Sequence, residues 1–317
     1  MVLHLLLLFL QEIGSIIQNP KRIFDDKFCD KVVHSERQVI LSDFSDTPLP
    51  VAFSTQGWES LYEKPSRCPS VFIQKFYSNI HPINTFVPQF TMIFWGTHIV
   101  VTSELIFDVL YVPRVDRPNY PSHPCLRFIS WDGLASRFYE KAMVWDDLLN
   151  FTTHDFAKGP RILKMVMTFV LIARSHYNTI TEPRAHFLFS LLEGFFIYFP
   201  SQMIISIIDI YQDTATCDKL IFPSGIIHIL THMHVPIPSS LFFSIIGAIN
   251  WEFMWRRAVQ LVAKVKQAYK ESAPTQQEEA DIRVVEDAAY ASPHSSTSAP
   301  SSSSRVKASL ATIMDQF

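Results

Sequence analysis

The stretch from Phe156 to Pro236 constrains the fold of this chain more than any other feature. Apolar residues recur there at helical spacing in four segments, separated by short connections that are polar or contain proline. We predict helices from about Pro160 to His176, from Thr181 to Gly194, from Ser201 to Gln212 and from Ser224 to Pro236. Because helices joined by short connections tend to pack as antiparallel neighbours, the stretch predicts an α-helical core.

One β-hairpin is predicted within this otherwise helical chain. Phe90–Phe94 and His98–Val101 are rich in aromatic and β-branched residues, and they flank the turn sequence Trp95-Gly96-Thr97. Further helices are predicted from capping residues at Ser70, at Thr102 or Ser103, and at Asn250, the last running from Trp251 to about Lys270. Another helix is predicted from about Trp131 to Lys141.

The chain is expected to have four parts. Residues 1–54 form a poorly defined N-terminal extension, irregular and polar from Ile23 to Pro50. Residues 55–270 form a single, mainly α-helical domain with the small β-hairpin. Residues 271–305 are rich in Ser, Pro and Ala, bury too little apolar surface to fold, and are predicted to be disordered. Residues 306–317 begin an amphipathic, coiled-coil-like helix that offers weak self-association.

The coiled-coil prediction for residues 306–317 rests on a short heptad pattern. Apolar side chains recur there at intervals of four, three and four residues, at Val306, Leu310, Ile313 and Phe317.

Two kinds of apolar segment raise the question of a membrane. Residues 1–10 resemble the apolar part of a signal peptide but lack a positively charged start, so an apolar helix on the core or a mis-set start explains them as well. The uncharged windows 194–208 and 235–251 are shorter than the roughly 20 residues a spanning helix needs, and both contain proline. Buried helices explain the same apolarity, and we expect no membrane partner.

Charge and cysteine content narrow the possible partners. The net charge of −3 argues against a protein that is basic throughout, so any nucleic-acid contact must be local. The 4 cysteines lie far apart and form no CxxC pair, which favours reduced thiols, no metal, and an intracellular location in the nucleus or cytoplasm.

The residues that most resemble a catalytic or metal site do not form a specific pattern. His228 and His232 lie four residues apart on a predicted helix, with His234 nearby, but no acidic neighbour completes a zinc motif. The carboxylates that a transposase-like, metal-dependent nuclease would require are scattered along the chain at Asp108, Asp132, Asp146, Asp147, Glu193 and Asp209. The chain contains only 8 glycines, which disfavours a glycine-rich phosphate-binding loop. We predict no enzyme, no catalytic residues, no metal and no cofactor, with such a nuclease or a membrane-associated protein as the alternatives.

The helix predicted after Asn250 carries the strongest local charge. Five cations stand against Glu252, namely Arg256, Arg257, Lys264, Lys266 and Lys270. We call this segment, residues 251–270, the basic helix. It suits nucleic-acid phosphates, a protein partner or a nuclear-import receptor, although such a run is also typical of a solvated helix face.

Several segments of the chain form a combination that is specific when they are taken together. The most specific segments are Phe156–Arg161, Ser175–Arg184 and Asp213–Ser224. Shorter ones are Gly57–Glu59, Phe76–Ile80, Gly96–Thr102 and Val109–Arg114. Together these segments resemble a domain family of plant transposon proteins. The similarity runs from about residue 55 to the C-terminus, so residues 1–10 lie outside it.

The resemblance implies a retroelement-derived plant protein with no established enzymatic activity, cofactor or catalytic residue. Members of the family tend to have a basic cluster with arginine and proline after the last core helix. Here its place is taken by the weaker Lys264-Val265-Lys266-Gln267. The expected function is therefore a structural or nucleoprotein-like role exerted through protein or nucleic-acid contacts.

Overall fold

A computed structural model describes residues 20–66, 69–84, 87–140, 150–153, 156–172, 179–213, 219–237, 247–254 and 256. The chain divides into two units, residues 1–250 and residues 251–317. The predicted domain 55–270 therefore crosses a boundary, because the basic helix belongs to the second unit. The apolar start at 1–10, the tail at 271–305 and the heptad at 306–317 all lie outside the described residues.

The first unit is mainly α-helical, as predicted. Its helices are α1 Pro20–Ile23, α2 Pro48–Gln56, α3 Ser70–Ser78, α4 Ser103–Leu110, α5 Pro124–Phe128, α6 Trp131–Tyr139, α7 Lys158–Val166, α8 Glu182–Leu192, α9 Phe199–Gln212 and α10 Pro223–His232. Its strands are β1 Val32–Val33, β2 Ile80–Asn84, β3 Gln89–Phe94, β4 Thr97–Val101, β5 Asn150–Thr152, β6 Thr179–Thr181 and β7 Lys219–Leu220. A π-helical turn extends α1 to Phe28, and another extends α7 to Leu171.

The four central helices are confirmed as α7, α8, α9 and α10. All four carry proline in the first turn, where the missing N–H removes no intrahelical bond. The first helix ends at Leu171 and does not reach His176. The expected packing of sequential antiparallel neighbours is also incomplete, because α4 contacts both α9 and α10.

The predicted hairpin is confirmed as β3 and β4, and it gains a third strand. The strand order is β2-β3-β4, with both pairs antiparallel. Trp95 and Gly96 form the two-residue turn with φ values of 49° and 80°, the left-handed conformations that a type I′ turn requires. Strand β2 was not predicted, because Ile80 was assigned to the preceding helix and Pro82 is unfavourable in a sheet.

Residues 20–54 are part of the first unit's core, so the predicted boundary at residue 54 does not coincide with a structural one. Phe28, Phe44 and Phe53 in this segment are almost completely buried. The end of the stretch predicted to be irregular, near Thr47, begins helix α2 instead. The Thr47 hydroxyl accepts the Leu49 N–H at 3.3 Å, and this hydrogen bond caps the helix.

Two short pairings between distant segments hold the first unit together. Strand β1 runs parallel to β7, with Val32 opposite Lys219. Strand β5 runs antiparallel to β6, with Phe151 opposite Ile180. The first pairing places the residues after β1 beside the start of α10, and this positions the cleft described below.

None of the helices in the described residues combines the length and apolar character that crossing a membrane requires. The apolar window 194–208 falls largely on α9, most of whose apolar side chains are buried, with Ile205 exposed. Residues 238–246 of the other window lie outside the described part of the chain.

Candidate functional site

The start of the basic helix is the part of it that the structure describes. Residues 251–254 and 256 are helical, in agreement with the predicted start after Asn250. Arg256 forms an ion pair with Glu252 one turn earlier, and the two side chains are 68% and 66% exposed. An exposed pair at this spacing contributes little stability, so Arg256 remains accessible to an anionic partner. Arg257, Lys264, Lys266 and Lys270 lie outside the described residues.

The predicted histidine group does not assemble into a metal site. His228 and His232 lie on α10, and His234 follows that helix with a left-handed φ of 57°. The Nε2 atom of His228 is 3.1 Å from the Ser66 hydroxyl. Within the described ranges, no group of three His, Cys, Asp or Glu side chains is placed to hold a metal ion.

The candidate carboxylates are also dispersed as far as the structure describes them. Asp108, Asp132, Glu193 and Asp209 are exposed and belong to four different parts of the helical scaffold. Glu193 accepts a hydrogen bond from Arg137 Nε at 2.6 Å. Asp146 and Asp147, the two adjacent candidates, lie outside the described residues.

A cleft of about 210 Å³ that was not predicted lies where α4, α10 and residues 60–66 meet. Its floor is apolar and includes Leu61, Val109, Leu110, Phe199 and Met203. Its polar lining comes from three distant segments and includes Glu36, Ser66, Ser224 and His228, together with Arg37, Ser60, Glu63 and Lys64. An apolar cleft with a few convergent polar groups is the usual form of a small-molecule site, so the bonding of each group decides what this cleft does.

The Glu36 carboxylate caps helix α10. Its Oε2 atom accepts the Ser224 N–H at 2.6 Å, and the Gly225 N–H also bonds to the carboxylate. The residue before the helix, Phe222, is left-handed and supplies no side-chain cap. Burial raises the pKa of Glu36 to about 7, although the two backbone N–H groups act in the opposite direction. The helix N-terminus is therefore occupied by a side chain of the same chain.

Ser66, Ser224 and His228 form a second set of contacts in the cleft. The Ser66 N–H donates to the Ser224 hydroxyl at 2.8 Å, while the Ser66 hydroxyl lies next to His228. Partial burial lowers the pKa of His228, which favours a neutral imidazole at pH 7.

The Ser66–His228 distance is within reach of a nucleophile and its general base. Acyl transfer also needs free N–H groups for the developing oxyanion. The N–H groups of Ser66 and Ser224 are already bonded to Ser224 and Glu36. These hydrogen bonds fasten residues 36 and 66 to the start of α10.

Sequence patterns gave little indication of this cluster. Ser224 was expected to begin the fourth helix, and it does lie in the first turn of α10. Glu36 is 188 residues away from Ser224, so no local spacing reveals the contact.

Comparison with known proteins found no match to this chain among family models, curated proteins or solved structures. The resemblance to plant transposon proteins stays a prediction from the segments quoted above.

Proposed function

We propose that this chain is a non-enzymatic, retroelement-derived plant protein with a structural or nucleoprotein-like role, and that it contacts nucleic-acid phosphates through the basic helix. The observation that carries the proposal is the concentration of five cations in 15 residues that begin at the exposed Arg256. The quoted resemblance supports the retroelement origin. The nucleus or the cytoplasm is the location that fits this role.

The arrangement of charge along the basic helix favours an interface over a uniformly solvated surface. At about 100° per residue, a continuous helix over 251–270 would place all five cations within about half of its circumference. The opposite half would carry most of the apolar side chains, namely Trp251, Met254, Trp255, Ala258, Leu261, Val262, Val265 and Tyr269, whereas Phe253, Val259 and Ala263 would lie among the cations. The apolar half of the helix then suits burial, and the cationic half suits binding to a polyanion. Binding is favoured because Lys and Arg that neutralise phosphates release the counterions bound to the nucleic acid.

The cleft of the first unit supports a non-enzymatic role. Among the described residues, the Glu36 carboxylate is bonded to the Ser224 N–H and the Ser224 hydroxyl to the Ser66 N–H, so these groups serve contacts within the chain. The described candidate carboxylates are exposed and distributed over separate helices.

Binding of the full chain to a labelled single-stranded RNA of about 20 nucleotides, measured by fluorescence anisotropy, tests the proposal. We expect the double variant Arg256→Glu and Arg257→Glu to weaken binding by at least about tenfold at low salt, because it replaces two attractive charges with two repulsive ones.

The matched control is the double variant Lys21→Glu and Arg22→Glu. This pair is also adjacent and exposed, and Arg22 forms an i,i+4 ion pair with Asp26 as Arg256 does with Glu252. The control changes the net charge by the same amount in the first unit. Equal losses in both variants would indicate a non-specific charge effect, and an unchanged affinity in the Arg256/Arg257 variant would refute the contact.

A further inference from the structure

The two edges of the three-stranded sheet differ in how well they are protected against pairing. Edge strand β2 contains Pro82, which has no N–H to donate, and its register with β3 is irregular between Ile80 and Ile83. Prolines and irregularities of this kind prevent another strand from adding to an edge. The other edge, β4, has the sequence Thr-His-Ile-Val-Val and a regular register over five residues. It carries no proline and no Lys, Arg, Asp or Glu.

The register identifies which backbone groups of β4 point away from the sheet. A two-residue turn makes Phe94 and Thr97 a hydrogen-bonded pair, and such pairs then recur at every second residue. The pairs that bond within the hairpin are Phe94 with Thr97, Met92 with Ile99, and Phe90 with Val101. The N–H and C=O groups of His98 and Val100 consequently point outward. Across the described residues, none of these four backbone groups has a hydrogen-bond partner.

The side chains beside this edge are also exposed and apolar. Val100 is 41% exposed on β4, and Ile93 is 61% exposed on the adjacent strand β3. Ile99 faces the opposite side of the sheet and is fully buried, so the strand is anchored to the core while its edge remains open. Open, regular and uncharged edges of this type are templates for another strand.

We propose that β4 pairs antiparallel with β4 of a second copy of this chain, about a two-fold axis that passes beside Ile99. In this register His98 of each copy lies opposite Val100 of the other, and the outward N–H and C=O groups of both residues bond across the axis. Three strands from each copy join into one continuous sheet. On the exposed face, Val100 lies between Thr91 of its own chain and His98 of the second copy.

The pattern of outward N–H and C=O groups on β4 is the reason why we propose a second copy of this chain as its partner. Two outward-facing residues placed symmetrically about a central one are self-complementary under a two-fold axis, as an isologous interface requires. No charged side chain on β4 opposes this pairing. Five residues form a small interface compared with the roughly 1,200 Å² or more that stable complexes bury, so the dimer is weak and depends on concentration.

Sedimentation velocity on the full chain, from about 1 μM to about 1 mM, tests the pairing. We expect a monomer–dimer equilibrium in the unmodified chain. Val100→Pro removes one outward N–H from each copy and should weaken dimerisation by at least about tenfold. Val100→Thr keeps the N–H and the β-branched shape and should dimerise like the unmodified chain.

A third variant, Leu310→Glu, separates this interface from the heptad near the C-terminus, and it should leave the strand-mediated dimer intact. A chain that stays monomeric throughout the series overturns the proposal. So does a dimer that Leu310→Glu abolishes and Val100→Pro does not change.

Hydrogen exchange of the unmodified chain provides a test that needs no substitution. The amides of His98 and Val100 should exchange quickly at the lowest concentration and at least about tenfold more slowly at the highest, because pairing protects them. The Ile99 amide, which bonds within the hairpin, should change much less. Concentration-independent exchange at His98 and Val100 in a chain that dimerises would place the interface elsewhere and refute the pairing.

Discussion

Replacing Glu36 with Gln should change how the stability of the first unit depends on pH. The Glu36 carboxyl has a pKa raised to about 7, whereas an ordinary glutamate has a pKa of 4.5. Between these two values the folded chain retains a proton that the unfolded chain has lost. The contribution of Glu36 to the free energy of unfolding is therefore highest below pH 4.5 and falls as pH rises to 7. Glutamine keeps an oxygen that can accept the Ser224 N–H, but it does not titrate.

The size of this effect follows from the two pKa values. At about 1.4 kcal/mol per pH unit between them, the largest change is about 3 kcal/mol. Glu36 lies at the wall of a cleft and keeps some exposed surface, so water reduces the change to about 1–3 kcal/mol.

His34 acts with the opposite sign in nearly the same range. Burial lowers its pKa from 6.5 to about 4, so the unfolded chain holds the extra proton and stability falls as pH drops from 6.5 to 4. In the unmodified chain the contributions of Glu36 and His34 partly cancel between pH 4.5 and 6.5. Removing the Glu36 contribution exposes that of His34.

Urea unfolding followed by circular dichroism at intervals from pH 4 to pH 8 checks this prediction. We expect Glu36→Gln to gain stability relative to the unmodified chain by about 1–3 kcal/mol between pH 4.5 and pH 7. His34→Phe, which keeps a ring beside Phe169, should show the opposite trend. Parallel pH profiles for Glu36→Gln and the unmodified chain would refute the burial of the Glu36 carboxyl and the raised pKa that follows from it.

Two further predictions concern other parts of the first unit. Burial lowers the pKa of Lys164 from 10.5 to about 7, so the folded chain binds fewer protons than the unfolded chain between these values and stability should rise with pH across that range. Lys164→Met should be the more stable protein at pH 7, by about 1 kcal/mol or more, and should lose its advantage towards pH 10.5 in urea unfolding. Gly57 and Gly96 both have positive φ, but an added Cβ at Gly57 would lie 2.8 Å from Pro113, whereas nothing lies within 4 Å at Gly96. Gly57→Ala should therefore destabilise by about 1 kcal/mol more than Gly96→Ala, and equal midpoints of thermal unfolding would contradict this.

Features that depend on neighbouring residues were largely predictable from the sequence. Helix α4 begins after Thr102, whose hydroxyl accepts the Leu105 N–H at 3.2 Å, as the capping pattern predicted. The hairpin follows from two β-rich runs around Trp95-Gly96, and prolines fixed the starts of the later central helices.

Features that depend on distant residues were not predictable. The pairing of β1 with β7 joins segments near residues 32 and 219, and the Glu36 cap spans a similar separation. Neither contact imposes a periodicity on its own segment. Residues 20–54 were assigned to an irregular extension because their buried aromatics, such as Phe28 and Phe44, stand singly without helical or strand spacing. The basic helix beyond Arg256 stays a prediction.

The salt dependence of RNA binding tests the central claim most directly. If the five cations of the basic helix each neutralise a phosphate, the logarithm of the binding constant should fall with the logarithm of salt concentration with a slope near about −3.5 on single-stranded RNA. The Arg256→Glu and Arg257→Glu variant should reduce the steepness by about 1.4, while the Lys21→Glu and Arg22→Glu control should leave it unchanged. A slope near zero, or the same slope in both double variants, would contradict nucleic-acid binding through this helix.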